Sequence, residues 1–325
     1  MLPVLITIDT EYSSGLFRNG AGRSWADNFA RCVECVTDSG PVGIGYQMDV
    51  FERCGLKATF FVDPMPGLVW GTDAIKRVVQ PIVERGFDVQ LHLHTEWLEL
   101  ADGNPLTNRT GQNLADFPFD DQKRIISFAA ETLIAAGAPS PVAFRAGNYG
   151  ANDDTLRALA ELGIAIETSF PPGLSQSACA ISLGRDALAP VAHCGVTELP
   201  IGAIAGKGTQ RRHAQITAMS LWEMTSAIQH AADQNWPALV LVSHSFEMMN
   251  RRRGIANRIV KHRFEHLCEW LAATPDACTT DFTDRQFVQR ITSPTMLRKL
   301  TLLPHNPLRT FLRMGEQAVA NALYG

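Results

Sequence analysis

Short apolar runs alternate along the chain with longer amphipathic stretches. Val4-Leu5-Ile6-Thr7-Ile8 is rich in β-branched residues and ends on Asp9-Thr10-Glu11, and Ala58–Val62 ends on Asp63-Pro64. Phe87–Leu91 runs into His92, Val142-Ala143-Phe144 into Arg145, Ile164–Ile166 into Glu167, and Val240-Leu241-Val242 into Ser243-His244. Brief runs of this composition are strands. The segments 71–85, 119–137, 152–162, 217–234 and 257–273 have helical length and periodicity, with Thr72 and Asn152 or Asp153 as N-caps. Strand and helix in alternation predict a parallel α/β sheet, open or closed into a barrel.

One regularity separates site from scaffold. Asp9 and Glu11, then His92, His94 and Glu96, then Arg145, then His244 all stand just past the C-terminal ends of apolar runs. In parallel sheets and barrels that is the edge where active sites lie. His92 and His94, two apart on an extended segment, face the same way. With Glu11, or with Glu96 as the alternative ligand, they make the nitrogen and oxygen donor set of a divalent metal site, zinc first. Asp9 and Glu11 also share a side of the chain, so one can bind a metal while the other takes a proton from water. Arg145 can hold such a carboxylate ionised, and His244 can protonate a leaving group. Each residue has an ordinary alternative: a packed histidine, a turn-capping acid, a structural ion pair.

Composition narrows the class. The chain has 325 residues, 46% hydrophobic and 19% charged, with 29 Lys+Arg against 33 Asp+Glu and a formal charge of −4. Disorder is excluded for the chain as a whole, and the balance argues against a nucleic-acid binder. The seven cysteines make no small disulfide framework, and Cys32 and Cys35 form a CxxC without a second pair. The first ten residues carry no secretory pattern and no apolar run is long enough to span a membrane, so a cytoplasmic protein is expected. The Asn108-Arg109-Thr110 sequon has no meaning there. Gly202–Thr209 does not fit a phosphate loop. Trp25, Trp97, Tyr149 and Phe170 are candidates to line a sugar cleft, with core packing the alternative.

The segment 251–263 carries six Lys/Arg. The stretch 290–325 carries Arg290, Arg298, Lys299, Arg309 and Arg313 against Glu316 alone, with Leu308, Phe311, Leu312 and Val319 near helical spacing. It reads as a helix packed on the barrel or a dimer contact, or else as a peripheral anchor to anionic lipid or a clamp on an anionic substrate.

Together these residues resemble the polysaccharide deacetylase (NodB-homology, carbohydrate esterase family 4-like) superfamily, as a divergent subfamily, across most of residues 1–285. Ile6–Glu11 is similar to the family's first motif, a strand ending in T-F-D-D. Asp88–His94 resembles the E-x-G-x-H-(S/T)-x-x-H segment, Phe144–Tyr149 the R-x-P-(Y/F) motif, and Leu241–His244 the L-x-H motif. Gly55–Val62 matches the family's G-x-x-A-T-F-F strand. Two departures stand out. Thr10 replaces the second Asp of the first motif, and Glu96 replaces the second His. Glu11, and His94 or Glu96, would then have to supply the missing ligands.

The resemblance implies a distorted (β/α)7 barrel over 1–285 with insertions at 12–48 and 97–118, and a basic, partly amphipathic tail at 286–325. It implies metal-dependent removal of an N- or O-acetyl group from a sugar or a glycan or lipid-linked sugar precursor. Asp9 would be the base, Arg145 its tether and His244 the acid; the backbone near Asn148 and Tyr149 would hold the oxyanion, with Trp97 against the substrate. The alternatives are hydrolysis of a non-glycan C–N bond, as in the allantoinase-like branch, and an inactive glycan- or partner-binding domain.

Overall fold

The computed structural model of the chain describes residues 1–293 and 300–324. Arg298 and Lys299 of the basic tail lie outside the described residues. The central strands are β1 (Leu2–Thr10), β2 (Thr59–Val62), β3 (Asp88–Leu93), β4 (Ala143–Ala146), β5 (Ile166–Glu167), β6 (Val191–His193), β7 (Val196–Glu198), β8 (Leu239–His244) and β9 (Ala277–Thr280). They form one sheet in the order β8-β1-β2-β3-β4-β5-β7-β6, with β9 added against the start of β1. Every pairing from β8 to β7 is parallel, and β6 runs antiparallel at the edge.

Irregular backbone closes the ring. Leu199 N–H donates to Glu167 O (2.7 Å), Gly202 N–H to Val240 O (3.0 Å) and Ile216 N–H to Val242 O (3.1 Å). A Cβ on Gly202 would lie 2.6 Å from Val240 O, so this approach requires glycine. The result is the distorted α/β barrel expected from the sequence.

All nine residues of β1 are buried, as a strand covered on both faces must be. Leu5 joins Phe61, Ala143, Ile166, Val240 and Val242 in the inner cluster, while Val4, Ile6 and Ile8 belong to the outer cluster under the helices. The outer layer contains α1 (Trp25–Cys32), α2 (Ile44–Cys54), α3 (Thr72–Glu84), α4 (Phe119–Ala135), α5 (Asp153–Glu161), α6 (Leu221–Asp233) and α7 (Arg258–Ala273). The crossover from β1 to β2 ends in α2, within and beyond the stretch expected to be an insertion. Gly45 inside α2 and Gly43 at its start mask the periodicity. Gly43 is demanded by Val33 O, 2.0 Å from where a Cβ would sit.

Two further helices follow, α8 (Arg285–Thr292) and α9 (Pro307–Tyr324). Phe287 and Ile291 of α8 join Phe282 in the inner cluster. Arg290 donates to Pro237 O (2.9 Å) and Phe282 N–H to Asp88 Oδ2 (3.0 Å), both where strands begin. Residues 286–292, expected from the sequence to be tail, thus close the lower mouth of the barrel. The upper mouth, where strands end, is left for polar chemistry.

Candidate metal and proton-transfer site

Three groups of side chains meet at the upper mouth. The first is built on β1 and β4, since Asp9, two residues after Thr7, points inward. Arg145 Nη1 donates to Asp9 Oδ1 (2.6 Å) and to Thr7 Oγ1 (3.0 Å), Nε donates to Thr168 O (3.1 Å), and the guanidinium stacks 4.4 Å over the Phe61 ring. Arg145 and Asp9 are both buried. Burial favours the protonated Asp9, but Arg145, His92 and His244 together outweigh it and hold the carboxyl below its ordinary value. Asp9 is therefore an ionised, fixed carboxylate.

The second group is Glu11, His92 and His94, whose ligand atoms all lie within 4.8 Å of one another. His94 Nε2 is 2.5 Å and His92 Nε2 3.4 Å from Glu11 Oε2. Each ring uses its other nitrogen for an acceptor: His92 Nδ1 meets Arg145 O (2.8 Å) and His94 Nδ1 meets Glu96 Oε2 (3.1 Å). That second contact fixes both Nε2 atoms toward Glu11, the arrangement metal-ligating histidines adopt. Burial works against both charged forms here. The two imidazoles nonetheless hold Glu11 well below the carboxylate range, and Glu11 and Glu96 hold His94 well above the imidazole range.

Beside this trio stands Asp63 at the end of β2. Its Oδ1 accepts from Met65 N–H (3.0 Å) and weakly from His94 N–H (3.4 Å), and its buried Oδ2 has no hydrogen-bond partner. Burial pushes its pKa up to about 7, against the pull of His94 and His92. A carboxylate, two oriented imidazoles and an unpaired buried oxygen fit a divalent cation.

The third group is His244 with Glu247. His244 Nδ1 lies 3.0 Å from Glu247 Oε1 and Nε2 lies 3.9 Å from Asp9 Oδ2. Glu247 is held in turn by Ser243 Oγ (2.9 Å), Thr217 Oγ1 (3.1 Å) and Gln215. Burial favours a neutral ring, but Glu247 and Asp9 overcome it and raise His244 to about 9. At neutral pH His244 is an imidazolium with a proton to give.

The residues taken from the sequence are distributed unevenly. Asp9, Glu11, His92, His94, Arg145 and His244 converge. Glu96, the alternative ligand, instead supports His94 from behind and accepts from Asn148 Nδ2 (3.4 Å). Asn148 and Tyr149 both have φ of 56°, two left-handed non-glycine residues in a row directly after β4. Such strain marks a turn held in place by its surroundings. Trp97 is fully buried against Trp70 (5.1 Å) and Phe17 (6.0 Å), so it offers no face to a substrate; the expectation of a substrate contact there is corrected. Cys32 and Cys35 are buried free thiols, the former pushed up to about 11 chiefly by burial.

No family model matches the sequence, and no curated protein matches it. Solved structures do. A Mycobacterium smegmatis protein named as a polysaccharide deacetylase aligns over 93% of this chain and 96% of its own, at 15% identity and a TM-score of 0.53. The two chains share a fold. A 4-alpha-glucanotransferase from Thermococcus litoralis aligns over 94% of this chain at 11% identity and a TM-score of 0.51, this chain spanning 42% of that one. At such identities the likeness is one of backbone, and function has to be argued from the site.

Two residues of the site, Asp63 and Glu247, are absent from the set expected from the sequence. Asp63 obeys the same strand-end rule as the others, standing just past the apolar run Ala58–Val62 and before Pro64. Glu247, three residues past His244, carried no comparable signal, because it stands beyond the strand end, in the turn at 245–248 that folds it back under the imidazole.

Proposed function

We propose that the chain is a metal-dependent hydrolase that removes an acetyl group from a sugar or glycan precursor. The observation that carries this reading is the opposed placement of a base and an acid. Asp9, ionised and tethered by Arg145, and His244, protonated on Glu247, face one another beside the Glu11–His92–His94 trio. Glu11, His92 and His94 would hold the cation, most simply zinc. When bound, it supplies Lewis-acid polarisation of the acyl carbonyl.

The remaining steps fall to the protein. Asp9 accepts a proton from the attacking water as its oxygen bonds to the acyl carbon. Backbone at the strained Asn148–Tyr149 turn faces the developing oxyanion. His244 then gives its proton to the leaving nitrogen or oxygen as the acyl bond breaks, yielding acetate and a free amine or hydroxyl. Glu247 keeps Nδ1 occupied, so that Nε2 is the atom that donates.

Acetate release across a panel of acetylated sugars and lipid-linked sugars, with and without chelation, tests this. Release that is lost on chelation and restored by zinc is expected. Stoichiometric glycan binding with no release at any metal loading would overturn it in favour of an inactive binding domain. Release from a non-glycan amide alone would move the substrate to another C–N bond.

A further inference from the structure

An amphipathic helix on a protein surface buries its apolar stripe and leaves its charged side to water. Helix α9 does the reverse. Arg313 lies 3.8 Å from Glu223, Glu316 pairs with Arg263 (2.7 Å), and Ala320 is buried, so the side carrying charge is docked on α6 and α7. Leu308, Phe311 and Leu312 lie away from that docked side and are exposed, Phe311 to 71%; Val319 and Leu323, nearer the docked side, are exposed as well. An apolar face of this extent on the outside of a protein marks an interaction site.

Its surroundings identify the occupant. Arg253 Nη1 donates to Leu323 O (2.8 Å), which ties the end of α9 to the hairpin Met249–Ala256, whose tip exposes Arg251, Arg252 and Arg253 together. Near the other end, Arg309 lies over Trp222 (6.0 Å), and that indole is 43% exposed. An outward apolar helical face, a flanking basic cluster and an edge tryptophan match the interfacial region of a bilayer carrying anionic lipid. A protein partner of ordinary surface would not call for three adjacent arginines at the rim. No described helix is long and apolar enough to cross a membrane, so the fit is to a helix lying in the surface.

We infer that α9 and the Arg251–Arg253 hairpin dock the protein on an anionic membrane leaflet. The hairpin also borders the candidate site: Arg251 stacks 4.2 Å over Phe246, whose ring lies 5.1 Å from that of His244. Docking would hold the barrel mouth near the headgroups. It depends on this surface alone, whatever reaction the site performs.

Vesicle flotation of the full chain tests the inference, using phosphatidylcholine vesicles with and without phosphatidylglycerol. The wild-type protein should float only with the anionic vesicles, and added salt should weaken it. Phe311→Glu should abolish flotation, and Arg252→Glu should reduce partitioning by at least about fivefold. Both sites are exposed, so both variants should keep the wild-type fold, which circular dichroism checks. No flotation of the wild type, or flotation unchanged in both variants, would overturn the inference. So would a wild-type dimer in light scattering that Phe311→Glu dissociates without any vesicle binding, since a second copy would then cover the face.

Discussion

Among the described residues, two clusters bring histidine within reach of two further metal-binding side chains, and they are built differently. Glu11, His92 and His94 sit at the barrel mouth; Asp153, His193 and Cys194 sit outside it, where the β6–β7 hairpin meets the start of α5. In the first, both histidines spend Nδ1 on an acceptor and aim Nε2 inward. In the second, His193 Nε2 is already taken, 3.0 Å from Asp153 Oδ1 and 3.3 Å from Ser182 Oγ. Ser182 also donates its N–H (2.9 Å) and Oγ–H (2.5 Å) to Asp153, so that carboxylate is satisfied too. Proximity of ligand types is common to both. In the mouth cluster the two Nε2 atoms meet only Glu11, itself a candidate ligand, next to a base and an acid; in the other, Ser182 also occupies both His193 and Asp153.

The largest effect expected from this contrast is in catalysis. His244→Ala should lower acetate release by about 10²–10⁴-fold, the usual contribution of a positioned acid, with metal content unchanged. Glu96→Gln weakens the orientation of His94 and should loosen the metal by about 10–100-fold, measured by competition with a chelator.

A smaller effect concerns pH. His244, raised to about 9, is a competent acid below that value, so the rate should fall as pH passes through about 9. Glu247→Gln removes the main group raising it and should move that alkaline limb down, which a pH–rate profile shows. The same shift makes the His244–Glu247 pairing stabilising. Its contribution is complete below the ordinary imidazole value of 6.5 and is lost as pH rises through about 9. Smallest of all, Asp153→Ala should leave metal content and rate untouched and cost about 1 kcal/mol in denaturant unfolding. Loss of metal in Asp153→Ala would erase the distinction between the clusters.

The residues of the mouth were legible in the sequence for a simple reason. Parallel strands are continuous apolar runs, so the polar residue that ends each one stands out, and the topology gathers those ends on one edge. Asp9, His92, Arg145 and His244 all announce themselves that way. The helices 72–84, 119–135 and 258–273 follow from periodicity to within a few residues at their ends. Three things were not legible. Helix α2 is hidden by glycines needed for close backbone approach. Glu247 acts through a bend. Trp97 looks like a cleft aromatic in one dimension and is a core residue in three, because the turn at Thr95–Glu99 folds it inward beneath Trp70. The tail's amphipathic spacing was visible too, but the sequence alone could not say which side of α9 faces the barrel.

The division of labour between the two carboxylates of β1 is the central claim, and metal content measured together with acetate release in Asp9→Asn and Glu11→Ala tests it most directly. Asp9→Asn should retain stoichiometric metal and lose turnover, because only the proton acceptor is gone; Glu11→Ala should lose metal and turnover together. Metal lost from Asp9→Asn and kept in Glu11→Ala would contradict the assignment.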